Sequence, residues 1–559
     1  MLLSKTQLLD WRQCPRKLWL GVHQPALAAD KDSALQRRSV DGRLVEERAR
    51  ACIPAAFRWL PASDDKPADA LAAQSAMAKH PGTAFVEVAM HAQGLYARAD
   101  ALCPHPEGGY ALLETKASTF PFKRDKVTPD KPEVHHVEDV AIQAWIAAES
   151  GIELKLAALN LLDNQWRYAG EGDYEGLFKR YPLNAHVKEV VNEVPIWLKL
   201  AQDVVAGPMP ACQTGAHCNK PHPCPFHGHC KALEPAGEAH PIELLPDMAG
   251  KTLARKLKET QGYVSLLQPH PSELVGANAE LFCRMQRAHA TGVPILEQGA
   301  YEVLDSLPYP RYYFDFEGID LPVPRWEGVR AYEQIPFQWS CHIETAPGVF
   351  EHHAFLDVTG NDPSLPCIQA LQRVIALDDG PILVYYQTYE KGRFKELAER
   401  HPEHAELMKN FIERLVDLHP LVKQNYYHPK MKGSFSIKKV LPTVAPHLGY
   451  DNLEQVQDGT AAQLAYLHYC FSPDMSPAER ENLRQDMLSY CEQDTWAMVE
   501  VAYFLQSLPS PVDLRPAPQA VAAPSLNMKH IAQGVGGSLP APAALYAQAT
   551  QEVFDDIPL

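Results

Sequence analysis

The sequence contains no apolar run approaching the ~20 residues needed to cross a bilayer. Its opening, Met1-Leu2-Leu3-Ser4-Lys5, leads into a Trp- and Arg-containing segment, where a secretion signal would need an apolar core and a cleavage site. The expectation is a cytoplasmic chain with no membrane partner. Positive charge is also in short supply: 52 Lys and Arg against 69 Asp and Glu leave a formal net charge of -17. That argues against a general phosphate-binding coat, which needs concentrated cations. It does not exclude an enzyme acting on nucleic acid, because metal ions offset local acids and one face can be basic while the rest is not. Twelve cysteines in such a chain suggest metal binding or buried thiols before disulfides. What is present is an ordinary globular composition, 22% charged and 46% hydrophobic, over 559 residues, too long for one core.

Two carboxylates stand out in Arg311-Tyr312-Tyr313-Phe314-Asp315-Phe316-Glu317-Gly318. The aromatic residues predict a buried strand, and a period of two puts Asp315 and Glu317 on one face. A pair of acids there is either a strand end with one surface acid and one paired acid, or the start of a divalent-metal platform completed by later carboxylates.

In the first half, Leu3 to Leu20 reads as an amphipathic helix broken at Cys14-Pro15. Cys212, Cys218, Cys224 and Cys230 follow in a Pro- and His-rich loop with five residues between each, a pattern no helix or strand packing explains, so metal ligation is predicted. Zinc could recruit His217, His222, His227 and His229, whereas a four-cysteine iron–sulfur site accepts wider and distant spacing; the spacing alone does not choose. Between these cysteines, Gly94 to Leu102 and Tyr110 to Ala117 predict two strands around a turn at Pro104 to Gly109, bringing Asp100 beside Glu114 and Lys116. Two acids and an ammonium can hold a divalent metal and assist water attack, though Glu-x-Lys more often marks a solvated salt bridge.

These residues together resemble the RecB-like branch of the PD-(D/E)XK nucleases, including CRISPR-associated members with a four-iron cluster. The resemblance rests on Cys14 in Gln-Cys-Pro-Arg-Lys-Leu, Asp100 in Ala-Arg-Ala-Asp-Ala-Leu, Glu114-Thr-Lys116, Gln143 in a following helix, and Cys218, Cys224 and Cys230. It implies a restriction-endonuclease-like fold over 1–233, metal held by Asp100 and Glu114, catalytic roles for Lys116 and Gln143, and a 4Fe-4S cluster on Cys14, Cys218, Cys224 and Cys230, with Cys212 spare. Where many relatives carry an early His ligand, this chain has Asp41 to Glu47; a Glu there could substitute as an oxygen ligand, but Glu46 and Glu47 are read first as an exposed helix face.

Residues 234–308 read as a helical connector with proline breaks. The second half then adds a strand at Pro336 to His342, a buried strand at Gly380 to Tyr386 ending in a loop with Tyr389-Glu390, a helix from Lys391 to Glu399, and a helix in which Tyr490 and Asp494 share a face. This order resembles the DnaQ-like, or DEDD, exonucleases of the RNase H-like fold, in the subgroup with tyrosine. The resemblance implies an α/β mixed-sheet domain over 309–508. It also implies two Mg or Mn ions on Asp315, Glu317, Glu390 and Asp494, with Tyr490 positioning water and cleavage running 3' to 5'. The family usually has Asp where Glu390 stands; Asp417 is the competing candidate, ranked second because it starts a helix.

Lys423 to Lys439 contains no acid and interleaves Lys423, Lys430, Lys432, Lys438 and Lys439 with Tyr426, Tyr427 and Phe435. Charge for phosphates and rings for bases predict a strand-holding groove, against the plainer alternative of a solvated basic loop. From 509 to 559 the composition reads as a flexible linker. Its end, Glu552-Val-Phe-Asp555-Asp556-Ile-Pro-Leu559, resembles the acidic tip of bacterial single-stranded-DNA-binding proteins, which docks on repair enzymes. The arrangement up to Leu508 resembles a bacterial family of two-nuclease proteins. The expected function is metal-dependent cleavage of DNA, as single-stranded ends or processed duplex, in repair or defence against foreign DNA. RNA cleavage and a catalytically silent nucleic-acid scaffold are the alternatives.

Overall fold

The computed structural model describes residues 1–53, 57–59, 62–375, 377–449, 456–473 and 475–516. The chain is mixed α/β and its described residues divide into two compact units: Met1–Pro235 together with Leu321–Glu333, and Ala236–Asp320 together with 334–516. No helix among the described residues is long and apolar enough to cross a membrane.

The first unit is built on a seven-stranded mixed sheet of β1 Leu3–Ser4, β2 Phe57–Trp59, β3 Ala84–Ala92, β4 Leu95–Pro104, β5 Tyr110–Thr119, β6 Leu154–Leu162 and β7 Phe178–Pro182. The order is β2-β3-β4-β5-β6-β7, with β1 parallel to β4. β4 and β5 form the anticipated hairpin. Its turn needs glycine at 109, where φ is +65° and a Cβ would lie 2.7 Å from the Glu153 carbonyl oxygen. The helix break at Cys14 is also as expected: Lys5–Gln13 ends, Cys14 is extended, and Pro15, with no N–H to donate, starts Pro15–His23. The helix Val134–Glu149 sends Val140, Ile142, Trp145 and Ile146 into the core, and carries Asp139 and Gln143 one turn apart.

In the second unit a five-stranded mixed sheet comprises β9 Arg311–Asp320, β10 Gln334–Ala346, β11 Val349–Leu356, β12 Ile382–Val384 and β13 Leu415–Asp417, in the order β11-β10-β9-β12-β13. A separate two-stranded ladder pairs β8 Ile295–Leu296 with β14 Tyr426–Tyr427. β9 and β10 are antiparallel, and β12 runs parallel to both β9 and β13. The period of two is decisive on β9. Tyr312, Phe314 and Phe316 enter one core with Phe394 and Leu397 of the helix Thr388–Arg400. Tyr313 enters the opposite core with Trp496 and Val499 of the helix Pro477–Leu505. Asp315 and Glu317 share the Tyr313 face. That long helix starts on a Ser476 capping box followed by Pro477.

The segment read as a connector packs into this second core. Leu253, Leu257, Phe282 and Met285 of the helices Asp247–Gln261 and Ala279–Thr291 are buried with Tyr313 and Leu383. Their apolar stripes need a partner, and the sheet supplies it. Residues 509–516, read as the start of a flexible linker, are tied back onto the long helix by Ser510 on Glu500 and Arg515 on Glu492. The acidic tip at 552–559 lies outside the described residues.

Candidate functional site

The long helix crosses the face of β9 that carries the two acids, and its i, i+4 spacing delivers Tyr490 and Asp494 to the same place. Asp315, Glu317 and Asp494 each have a carboxylate oxygen within 4.8 Å of the others. With Glu390, Tyr490 and Lys438 they line a cleft of about 440 Å³. Gly318 beside them leaves room for two side-chain ends: a Cβ there would lie 2.8 Å from both the Tyr389 hydroxyl and the Gln334 amide oxygen and would push them aside.

Such a cluster is electrostatically frustrated when no cation is bound. Burial, reinforced by the charges of Asp494, Glu317 and Glu390, pushes Asp315 well above the usual carboxylate range. Burial and Asp494 push Glu317 up to about 8, with Lys438 partly opposing both shifts. Glu390 is also pushed up to about 8, by burial first and by Asp417 as a further cause. The residue is only 2% exposed, and its Oε2 is buried without a hydrogen-bond partner. An all-oxygen donor set with an unpartnered carboxylate oxygen suits a hard divalent cation such as Mg or Mn.

Several sequence expectations are refined here. Glu390 sits in the first turn of Thr388–Arg400, not in the loop before it. It lines the cleft but falls outside the Asp315–Glu317–Asp494 trio. Asp417 is a structural cap: its carboxylate accepts the N–H groups of Tyr386, Gln387 and His419 at 2.9, 3.1 and 3.0 Å. It thereby pins the turn in which Tyr386 takes a φ of +83°, just ahead of the Glu390 helix.

The basic stretch separates into parts with different surroundings. Lys438 lies in the cleft, with Nζ 5.1 Å from the Tyr490 ring centre and 2.7 Å from the Gln457 carbonyl oxygen. Lys430, Lys432 and Lys439 are exposed, whereas Lys423 is ion-paired with Asp247. The expected stacking rings require correction. Tyr426 and Tyr427 are 1% and 0% exposed, bonded to Thr443 and His289, and Phe435 is buried with them. Their alternation with lysine reflects core-facing rings and solvent-facing charges. An exposed ring is supplied instead by Tyr386, adjacent to cleft-lining Tyr385 and 4.5 Å from the His419 ring.

In the first unit, Glu114 and Lys116 meet as the hairpin predicted, but two residues that the sequence reading assigned no role complete the cluster. Lys5 Nζ lies 2.8 Å from both Glu114 and Asp139; Lys116 Nζ lies 2.8 Å from Glu114 and 2.6 Å from Asp139. Gln143 donates to Glu114 at 2.7 Å and Asp139 at 3.0 Å. Burial would lower both ammonium groups, but the facing carboxylates outweigh it and hold Lys5 and Lys116 above the usual lysine range. Asp139 is held low by the two lysines against the opposing effect of burial. Asp100 accepts the Thr115 N–H at 2.7 Å, and burial plus the Glu114 charge push it well above the usual range. Glu46, read first as part of an exposed helix face and alternatively as an oxygen ligand, shares a small cavity with Asp100, Thr115 and Asn160 while pairing with Arg50. The signal for Asp139 was its i, i+4 spacing to Gln143; Lys5, more than a hundred residues away in sequence, gave none.

Cys14, Cys212, Cys218, Cys224 and Cys230 line one pocket, so Cys212, expected to be spare, stands with the other four. Burial pushes the Cys14 thiol up to about 11, with Cys212 a further cause. Several thiols lining one pocket are a soft donor set of the kind that zinc and iron–sulfur clusters both use.

A family model described as a domain of unknown function, DUF2779, matches residues 312–436, a span containing Asp315, Glu317 and Glu390 but ending before Tyr490. The chain is similar to an uncharacterised protein of Ureaplasma parvum serovar 3, 26% identical over 235 residues, covering 38% of this chain and 33% of that protein. It is likewise similar to an uncharacterised protein of Mycoplasma genitalium, 26% identical over 228 residues, covering 38% and 34%. The chain thus spans about a third of the length of the curated relatives it matches. A solved structure titled as that of SSO0001 is 16% identical and covers 42% of this chain and 87% of that one, with a TM-score of 0.20, too low to carry an argument.

Proposed function

We propose that the protein is a metal-dependent nuclease whose second unit removes nucleotides from DNA ends in the 3' to 5' direction, with an RNase H-like fold and a DnaQ-like active site. The observation that carries this reading is the convergence of Asp315, Glu317 and Asp494 within 4.8 Å in an open cleft also lined by Tyr490 and Lys438. Two Mg or Mn ions bound there would polarise the scissile phosphate and lower the pKa of the attacking water. The chain's own residues do the rest. Tyr490 orients the water whose oxygen attacks phosphorus while the bond to the 3' oxygen breaks. Lys438 places a positive charge against the phosphate, and Tyr386 offers a ring to an unpaired base. Glu390, with one oxygen unpartnered, takes up a cation or the water's proton.

For the first unit we propose a RecB-like PD-(D/E)XK fold stapled by a 4Fe-4S cluster, supported by the five-cysteine pocket that joins Cys14 to the later cysteines. A second reading has its own support there. Glu114 is engaged by Lys5, Lys116 and Gln143, so the carboxylate meant for metal is already charge-balanced. That favours a first unit that binds nucleic acid without cutting it.

The test is incubation of the full chain with labelled single-stranded DNA, duplex DNA and RNA in Mg or Mn, alongside Lys116→Ala and Asp315→Ala. Ladders of shortened DNA that vanish in Asp315→Ala and persist in Lys116→Ala are expected. Binding without cleavage of any substrate would replace the proposal with the scaffold, and cleavage of RNA alone would move it to ribonuclease.

Neutralising Lys430, Lys432 and Lys439 together is expected to weaken single-strand binding and reduce the slope of log affinity against log salt by about 2, at ~0.7 for each phosphate no longer neutralised. Filter binding across a salt series measures it, and an unchanged slope would return these lysines to the status of a solvated loop.

A further inference from the structure

The face of the sheet covered by the long helix is unusually polar beyond the carboxylate cleft. β10 directs Gln338, Ser340 and His342 toward that helix, and each is 0% exposed. His342 pairs in register with His352 of β11, with ring centres 4.4 Å apart. Glu492 of the helix completes the group: one nitrogen of each imidazole and one Glu492 oxygen lie within 4.8 Å of one another. Trp496 and Phe350 stand beside it, so water is a poor partner for these groups.

The hydrogen bonds around the two rings assign their lone pairs. Thr495 Oγ1 lies 3.0 Å from the Glu492 carbonyl oxygen, 2.8 Å from Ser340 Oγ and 2.9 Å from His342 Nδ1. Ser340 Oγ is in turn 2.9 Å from His352 Nε2. The arrangement that gives every proton an acceptor runs from His352 Nε2–H to Ser340, from Ser340 to Thr495, and from Thr495 to the Glu492 carbonyl, with His342 Nδ1–H also donating to Thr495. It leaves lone pairs on His342 Nε2 and His352 Nδ1. His342 Nε2 is buried with no hydrogen-bond partner. Glu492 receives both Arg515 bonds, at 3.2 and 2.9 Å, on Oε1, which leaves Oε2 outside the guanidinium's grip.

Two imidazoles oriented by hydroxyl groups on their far nitrogens, facing one carboxylate, form a donor set with a supporting shell of the kind that metal-binding histidines require. The mixed nitrogen and oxygen ligands favour zinc over magnesium or calcium. We propose that His342, His352 and Glu492 bind a zinc-class divalent cation that ties β10 and β11 to the helix carrying Tyr490 and Asp494. Arg515, which holds Glu492 through Oε1, competes with that cation for the carboxylate.

The test uses the full chain, stripped with a chelator and titrated with Zn²⁺ and, separately, Co²⁺, in the wild type, His342→Gln, His352→Gln, Arg515→Met and Asp315→Asn. The wild type is expected to take up one equivalent of cobalt more than either histidine variant, and the difference spectrum between them should show visible bands lacking thiolate charge transfer. Its affinity should fall about 100-fold in either histidine variant. It should persist in Asp315→Asn, which separates it from the carboxylate cleft. Arg515→Met, a change at a partly exposed side chain, should bind about 10-fold more tightly by freeing Glu492. If the histidine variants fail to fold, Arg515→Met decides the matter. Equal uptake in wild type and folded histidine variants, or no tighter binding in Arg515→Met, would overturn the site.

Discussion

Replacing Asp315 by Asn is expected to lower divalent-metal-dependent DNA hydrolysis by about 10³-fold or more, and at the same time to raise the thermal stability of the metal-free protein at alkaline pH. Asp315, Glu317 and Asp494 crowd their oxygens together, and burial with mutual repulsion holds Asp315 and Glu317 above their usual range. Asn keeps the side-chain shape while removing one charge from the crowd. The remaining acids then repel less, but the hard oxygen donor that a cation needs is gone.

The pH dependence follows from the same shifts. An unfolded Glu titrates near ~4.3, whereas Glu317 and Glu390 in the folded chain titrate at about 8. Between those values the folded protein holds more protons than the unfolded one, so stability falls as pH rises through the window and is lowest above it. Metal-free wild type is therefore expected to melt several degrees higher at pH 5.5 than at pH 8.5. Mg or Mn should restore the loss at pH 8.5, where carboxylates are free to bind it, and do little at pH 5.5. Thermal scans at the two pH values with and without Mn, run on wild type and Asp315→Asn, measure all of this. A wild-type melting temperature indifferent to both pH and Mn would show that the cluster holds no cation.

The second large effect concerns the cysteine pocket. Cys230→Ser is expected to remove the visible absorbance of an iron–sulfur cluster and to lower the melting temperature of the first unit by ~10 °C or more, because cluster binding is also folding free energy. Cys230 and Cys218 are buried, and they share the pocket with Cys14, about two hundred residues earlier in the chain. Cys283→Ser, in the second unit and outside the pocket, is the control that should keep both properties. Cys212→Ser separates the two ligand assignments: retained absorbance keeps Cys212 as a bystander, and lost absorbance puts it in the ligand set beside Cys14. A colourless wild type purified without oxygen, with stoichiometric zinc, would dismiss the iron–sulfur reading.

What the sequence determined by itself is local and periodic. The alternation of β9 fixed that Asp315 and Glu317 share a face with Tyr313, and the helical period fixed that Tyr490 and Asp494 share another. The break at Cys14-Pro15 followed from proline's missing N–H, and the hairpin that joins Asp100 to Glu114 and Lys116 followed from its glycine turn. Tertiary structure decided everything that depends on which face meets which. Residues such as Tyr426 and Tyr427 read as stacking rings because a lysine-rich context hides their direction; only packing against Phe504 and His289 shows them to be core. Lys438, one lysine among several in the sequence, is singled out by the cleft it enters. Lys5 reaches Glu114 and Asp139, and Glu492 reaches His342 and His352, across separations of more than a hundred residues. Such meetings leave no periodic trace, because they are set by how helices cross sheets and not by the spacing along either one.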